Sequence, residues 1–535
     1  SQRLVTSEAM TNKTTFEKWF STHTDSVVPE VSNWGTSVRI EQSEHRTMMP
    51  SQKIPQNIPD EAIPLYGSPG VFRGWSFVVL MNEQRFAAYD AEGQIRWTLP
   101  VAGAGKDLSD RLQSDSYLTA SGNLLLLKLH DSVYSLDTSE LTERTDADRQ
   151  VLEPRTLWTR RLDALATDPD TDDYRSYIDA ADRITQFAPQ PSGYYPVAPV
   201  TPTAVAMVAG RRLLVFDTLT GRLMWQLNSI ARDAVLLTTR DTVIVLSENS
   251  QQIESRSLID GTQLQVSGLP EWWGEAVSNV GSSVSDFEIE PGEDLLWRIA
   301  VHGQSCVLFR LGTTKSALEC RDLMTDSLVW SIDLPAHSVF SNVANDVVAT
   351  LSDGHELKLV RIDTGHVLAN HEVMPVPEPR DLFLVHSLDS YIILPEAVDD
   401  PSVELDPVME AMHVYGRMYC VDSGTMALRW DEVTDHRYIR RVSTHDRVIL
   451  PNSPILVLLN RGGPVDPETG ARQVRYGARM IDVRTGKEVL NLKDVGVGLN
   501  DFWLRIDAPK HLVELSFESH VFTLDFSDDQ ADETK

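Results

Sequence analysis

The chain has 535 residues, 41% hydrophobic and 24% charged, with 48 Lys and Arg against 78 Asp and Glu and a formal net charge of -30. The length accommodates several domains or one large repeat array. The charge argues against wrapping a phosphate backbone or resting on an anionic membrane, since both need clustered Lys and Arg. No run approaches the ~18 apolar residues of a spanning helix.

Residues 1–60 show little strand alternation and read as an N-terminal extension. Within it, 8–21 contains Phe16, Trp19 and Phe20 and reads as a short helix, while 41–64, rich in Pro, Gln and Ser, reads as a linker or surface strap. The chain opens SQRLVTSEAM, without an initiator Met or an apolar signal region, and so reads as a processed or truncated product. From Tyr66 a strand rhythm begins. The stretch LLVFDTLTGRLMW, 213–225, is its clearest copy: an apolar run into Asp217, a polar turn closing on Gly221, and a second run ending on Trp225.

The same grammar places aspartates at 90, 137, 217, 260, 322, 363, 422, 482 and 525. The shorter separations, 41 to 47 residues, match the roughly 40–50 residues of a four-stranded propeller blade. The longer ones are a blade plus an insertion, the clearest insertions being 163–199, 269–294, 394–412 and 462–473. The expectation is an all-β, eight-bladed β-propeller of four-stranded antiparallel blades over 61–527, closed by mixing strands from both ends, with an acidic disordered tail at 528–535. Seven blades stay open, because the signals at Asp137 and Asp525 are degenerate.

Each repeated residue has a structural task. The aspartate can accept turn N–H groups as in an Asx-turn, the glycine can take positive φ, and a tryptophan at fixed offset can pack on the next blade while its N–H meets a carbonyl. Asp217 to Trp225, Asp322 to Trp330 and Asp422 to Trp430 all span eight residues. Catalysis needs one site, and a feature repeated around a ring is poorly suited to it.

FDTLTGRLMW, with Val215 at the alanine position, resembles the tryptophan-docking motif of quinoprotein-like (PQQ-like) β-propellers. YDAEGQIRW, CRDLMTDSLVW, RIDTGHVL, CVDSGTMALRW and MIDVRTGKEVL are looser copies. The resemblance implies a ring with a girdle of tryptophans near its outer edge. The family includes quinone-dependent alcohol and glucose dehydrogenases and also non-enzymatic scaffolds. The vicinal cysteine pair of the alcohol dehydrogenases has no counterpart here, and no residue matches a quinone ligand individually.

The candidate chemistry is sparse. TDPDTDDY places Asp168, Asp170 and Asp172 at alternating positions, a spacing able to gather oxygens around calcium but lacking the Gly and terminal Glu of an EF-hand loop. The group Asp399, Asp400, Glu404 and Asp406 is weaker. Cys306 and Cys320 sit at cross-strand separation and read either as a disulfide or as buried free thiols. The histidines form neither HxH nor HExxH, GTTKS at Gly312 is not a phosphate-binding loop, and no G-x-S-x-G elbow occurs. Paired aromatics in two insertions, Trp272-Trp273 and Tyr194-Tyr195, read either as recognition residues or as lids folded over blade tops.

The reading that results is a non-catalytic scaffold propeller binding a protein partner within a larger assembly, without nucleic acid, a transmembrane segment or an assigned cofactor. Family resemblance alone implies a periplasmic or extracytoplasmic location. The alternatives are a quinone- or metal-dependent oxidoreductase on an alcohol or sugar, and a glycan-binding propeller.

Overall fold

The structure is a computed structural model. It describes residues 38–44, 62–64, 66–68, 76–80, 85–89, 95–100, 116–121, 123–129, 132–146, 149–161, 201, 204–209, 212–230, 234–239, 241–247, 250–279, 294–344, 346–353, 355–376, 379–397, 411–440, 454–462, 475–496, 503–507, 511–517 and 520–526.

Alternating apolar residues make these segments strands, and turns every few residues return each strand antiparallel to the last. The described strands form eight hydrogen-bonded sheets. A complete example is Asp294–His302, Ser305–Gly312, Lys315–Asp322 and Leu328–Pro335, paired in chain order. The Asp137 sheet gains a fifth, parallel strand, Tyr66–Ser68. The seven-stranded sheet holds both the Asp422 and Asp482 corners, joined by the single pair Tyr438–Leu459. In the sheet of residues 294–335 the turn of interest joins the third strand to the outer one, and the corner at Asp217 likewise leads into the outer strand Leu223–Leu227.

Consecutive sheets pack face to face. Val215 and Leu213 share a core with Val243 and Val245 of the next sheet; Leu246 and Ile253 share one with Val301 and Leu308; Leu318 and Trp297 share one with Val348 and Val360. Most of these strands are buried on both faces, which removes apolar area from water on each side of the sheet. The two ends of the array meet as well. Arg39–Glu44 pairs antiparallel with His520–Asp525 and becomes the outer strand of the sheet built from the C-terminal strands. This stretch falls in the N-terminal extension, part of it in the segment read as a strap; its alternation, RIEQSE, is too polar to be seen without its partner. Serially stacked antiparallel sheets whose first and last segments share a sheet make a fold of β-propeller type.

The corner works as its residue types predict. Asp217 Oδ1 accepts the backbone N–H of Leu219 and Thr220 and the Thr220 hydroxyl, at 3.2, 2.8 and 2.7 Å. Asp322 repeats this with Met324 and Thr325, and Asp422 with Gly424 and Thr425. An α-turn then closes from Gly221 N–H to the Asp217 carbonyl at 2.9 Å. The same bond identifies the equivalent residue elsewhere, and at two corners it is not the aspartate that the spacing picked out. Gly261 donates to Ser257 and Gly365 to Arg361, so Asp260 and Asp363 lie inside their turns. Counting aspartates misplaces these corners because the backbone bond, which any residue can accept, defines the position.

The tryptophan arrives from the preceding sheet, or, for Trp430, from the preceding four strands of the seven-stranded sheet. Trp158 donates its Nε1 to the Thr218 carbonyl at 2.9 Å, Trp225 to Leu258 at 2.9 Å and Trp430 to Val483 at 2.8 Å. Each carbonyl belongs to the residue following the corner position. Each ring lies against the positive-φ glycine of that corner, and Trp330 lies the same way against Gly365. A Cβ on Gly221 would stand 2.4 Å from the Trp158 ring, inside van der Waals contact. Where no tryptophan arrives, the left-handed position is not glycine. Gln265 occupies the tryptophan position before Asp326 (φ 54°), and Ala369 occupies it before Met426 (φ 59°). There a polar bond replaces the ring: Gln265 Nε2 and Ser267 Oγ donate to the Met324 carbonyl at 3.2 and 2.7 Å, and His371 Nε2 meets the Met426 carbonyl at 2.8 Å.

Removing residues 1–44 deletes the strand that pairs with His520–Asp525. Amide hydrogen exchange of 520–525 is expected to accelerate selectively while the Lys315–Asp322 strand keeps its protection. Uniform acceleration, or none, would contradict the pairing.

Candidate interaction surface

The insertion that follows Gln263–Gly268 is where the sequence offered a surface aromatic pair. Leu269 N–H bonds the Gln251 carbonyl, Pro270 turns the chain, and a short helix, α1 (Trp273–Ser278), begins. Trp273 is buried among Leu246, Ile253, Val301, Leu308 and Leu323, with the Arg298 guanidinium 5.4 Å over its ring. Trp272 donates Nε1 to Asp326 Oδ1 at 2.6 Å. The pair is thus folded down, the lid reading of the two. Glu275 Oε1 accepts the Leu296 N–H at 3.0 Å, and Asn279 Nδ2 donates to the Leu296 carbonyl at 2.9 Å. Both backbone groups of an edge-strand residue are therefore capped by α1 and the residue after it, which blunts that edge.

Charged side chains form two networks that spacing did not reveal. Glu319, 1% exposed, lies between Arg310 and Arg321, and Arg321 continues to Asp326 at 3.3 Å. Glu319 and Arg321 alternate with apolar Leu318 and Cys320, so period two was the available signal. In the second network Arg429 holds Asp389 through both carboxylate oxygens, at 2.8 and 2.6 Å, and also bonds Asp422 and, at 2.7 Å, Ser390 Oγ. The bond to Arg429 holds Asp389 below the usual carboxylate range, and Arg429 itself is raised. At Asp422 the Thr425 backbone amide, followed by the Thr425 hydroxyl and Arg429, outweighs partial burial and sets the carboxyl at about 2. Groups so far from neutrality stay charged at pH 7 and are poor proton carriers.

The cysteines are equally quiet. Cys306 and Cys320 are free and buried, on neighbouring strands but in different cores: Cys306 packs toward the Ser257 sheet and Cys320 toward the Arg361 sheet. Adjacent strands brought them close, and opposite pleat faces keep the sulfurs apart. Burial pushes Cys306 and Cys420 up to about 12. Asp168, Asp170, Asp172, the Asp399 to Asp406 group and Tyr194-Tyr195 lie outside the described residues. Among those described, no group of three or more His, Cys, Asp or Glu is placed to hold a metal ion, and no helix is long and apolar enough to cross a membrane.

The exposed feature is apolar and peripheral. Ile259, Leu264, Val266, Leu328 and Val329 are 46–64% exposed on two adjoining sheets. Leu264 and Val266 share one face of the outer strand Gln263–Gly268, in which every residue except Ser267 is exposed. That strand was not singled out from sequence, because QLQVSG lacks both the Asp and the Trp of its neighbours.

Lowering pH through the window between 3.8, the ordinary Asp value, and about 2 protonates Asp422 in the unfolded chain before the folded one. Its stabilising contribution is present above that window and is lost as pH falls through it. The melting temperature of the wild type is expected to fall more steeply between those pH values than that of Asp422→Asn. Parallel profiles would contradict the assignment.

No protein-family model and no curated protein matches the chain. Solved structures do. The WD40 domain of SCAP from fission yeast is similar over 91% of this chain and 98% of its own, at 9% identity and a TM-score of 0.31. Hsv2 from Kluyveromyces lactis is similar over 70% and 98%, at 8% and 0.29, and BamB from Moraxella catarrhalis over 62% and 82%, at 12% and 0.27. The chain is distantly similar to several propeller families and is not assigned to any one of them.

Proposed function

We propose that this chain is a non-catalytic interaction propeller of the quinoprotein-like type, one subunit of a larger assembly. The observation that carries this reading is where its polar and aromatic groups are used. Buried Glu319 engages its neighbouring guanidiniums, Glu275 and Asn279 beside the folded-down Trp272 and Trp273 cap a sheet edge, and Leu264 and Val266 stand exposed on an outer strand. Apolar groups on a rim favour association with another macromolecule.

Residues 61–527 are assigned to the ring, 1–60 to an extension that lends it the Arg39–Glu44 strand, and 528–535 to an acidic tail. Blade number turns on whether the Trp97 strands and the Asp525 strands make one blade or two: eight blades if one, nine if two. Separate four-stranded pairing of Ala62–Pro64 through Ile95–Pro100, and of Trp503–Asp507 through His520–Asp525 with Arg39–Glu44, supports two. A periplasmic or extracytoplasmic location follows from the family resemblance alone. The glycan-binding alternative draws no support from Trp272 and Trp273, whose rings are tilted by 49° and engaged.

Native mass spectrometry of the protein isolated from the cells that make it is expected to show a stable complex with a second protein. A lone chain under those conditions would count against the scaffold reading. A chain retaining a small redox cofactor would favour the oxidoreductase.

A further inference from the structure

The outer strand Gln263–Gly268 has an edge that carries neither charge nor proline. Its inner edge pairs with Gln252–Ser257, and no described strand pairs with its outer one. Natural edge strands are commonly protected by charge or proline. Leu328–Pro335 carries Asp333 and Pro335, Val367–Glu372 ends on Glu372, and Ile95–Pro100 carries Arg96 and Pro100. Gln263–Gly268 carries neither over its six residues, and neither does Leu223–Leu227, whose Trp225 is committed to the next corner.

Its two faces have different fates. Gln265 and Ser267 point to the Asp322 sheet and bond the Met324 carbonyl, which fixes the strand in place. The alternation then sends Leu264 and Val266 to the other face, where they are 56% and 46% exposed. Exposed acids stand beyond both ends: Asp260 in the turn before the strand and Glu271 after it. Asp260 is held below the usual carboxylate range by the Thr262 amide and stays anionic at neutral pH. Arg256, on the paired strand, is engaged by Glu254 at 2.5 Å and by the Gly261 carbonyl at 2.8 Å.

We propose that Gln263–Gly268 is a docking edge that accepts an extended basic segment of a partner protein by strand addition, with alternate apolar side chains packing on Leu264 and Val266 and flanking Lys or Arg meeting Asp260 and Glu271. Main-chain pairing supplies affinity that is indifferent to side chains, and the apolar pair with its acidic flanks supplies selectivity. The overall charge of -30 suits a basic partner. Uncharged Gln263–Gly268 needs no desolvation of an ion when a strand is added.

This surface rests on the scaffold reading, and the two fail separately. The test is fluorescence anisotropy of a labelled KVKVKVKV peptide with the full chain, alongside EVEVEVEV and the blocked peptide KKKKVVVV. Only KVKVKVKV is expected to bind, and on binding amide exchange of 263–268 should slow. The Leu264→Lys, Val266→Lys double variant should weaken binding by about tenfold or more without moving the melting temperature, whereas Asp260→Asn with Glu271→Gln should flatten the salt dependence. Absence of binding, equal binding of a control peptide, unchanged exchange at 263–268, or full binding by the lysine variant would each overturn the docking edge. If the lysine variant keeps its protein partner in native mass spectrometry, the edge is wrong and the scaffold reading stands. A wild-type chain with no partner counts against the scaffold reading even where the peptide binds.

Discussion

An indole ring laid on a glycine that has no side chain is the contact on which the packing of successive sheets depends. A sheet buries one face easily, but a stack of them must fix the distance and twist between neighbours at the periphery, where the interior core no longer reaches. Trp158, Trp225, Trp330 and Trp430 do this by crossing to the next corner and resting against Gly221, Gly261, Gly365 and Gly486. The ring occupies the space a Cβ would take, and positive φ suits that same residue, so two demands select glycine at once. Where the ring is replaced by Gln265 or Ala369, the demand for space disappears, and Asp326 and Met426 hold the left-handed position. The tryptophan and the glycine are therefore one device divided between successive repeats.

The charged residues extend the same logic. Arg429 ties the loop at Asp389 to the corner at Asp422, and Arg321 ties buried Glu319 to Asp326. Removing one member would leave a charge at least partly withdrawn from water, so each network resists local opening even where its net contribution is modest. Chemistry at neutral pH wants the reverse, a titratable group poised near neutrality and facing a cavity. Sheet-to-sheet rigidity leaves the rim available for recognition, and the exposed Leu264 and Val266 lie there.

The all-β repeat was legible in the sequence because its rhythm is local: apolar alternation, a turn residue, an aromatic at fixed offset. Asp217, Gly221 and Trp225 behave as their chemistry predicts, down to the carbonyl that receives the indole. Two corners were misplaced, since Ser257 and Arg361 act through main-chain groups that carry no residue signature. The pairing of Arg39–Glu44 with the far end of the chain was expected only as a general closure, because register across nearly the whole length leaves no local mark. The Glu319 and Arg429 networks were only partly legible for a related reason: Glu319 and Arg321 share a strand face, but Arg310 reaches Glu319 from the neighbouring strand and Arg429 reaches Asp389 across 40 residues. Cys306 and Cys320 show the limit of spacing, which brings strands together but does not say which face each sulfur takes.

A double-mutant cycle reads the division of the fastener between successive repeats directly. Equilibrium unfolding would be measured for the wild type, Trp330→Ala, Gly365→Ala and the double variant. With Trp330 present, Gly365→Ala forces a Cβ to within 2.5 Å of the indole, and a loss of about 1–3 kcal/mol is expected. With Trp330 gone, most of that loss should vanish, leaving only the cost of positive φ. An equal loss in both backgrounds would show that the glycine serves its own turn and that the sheets are held together by something else.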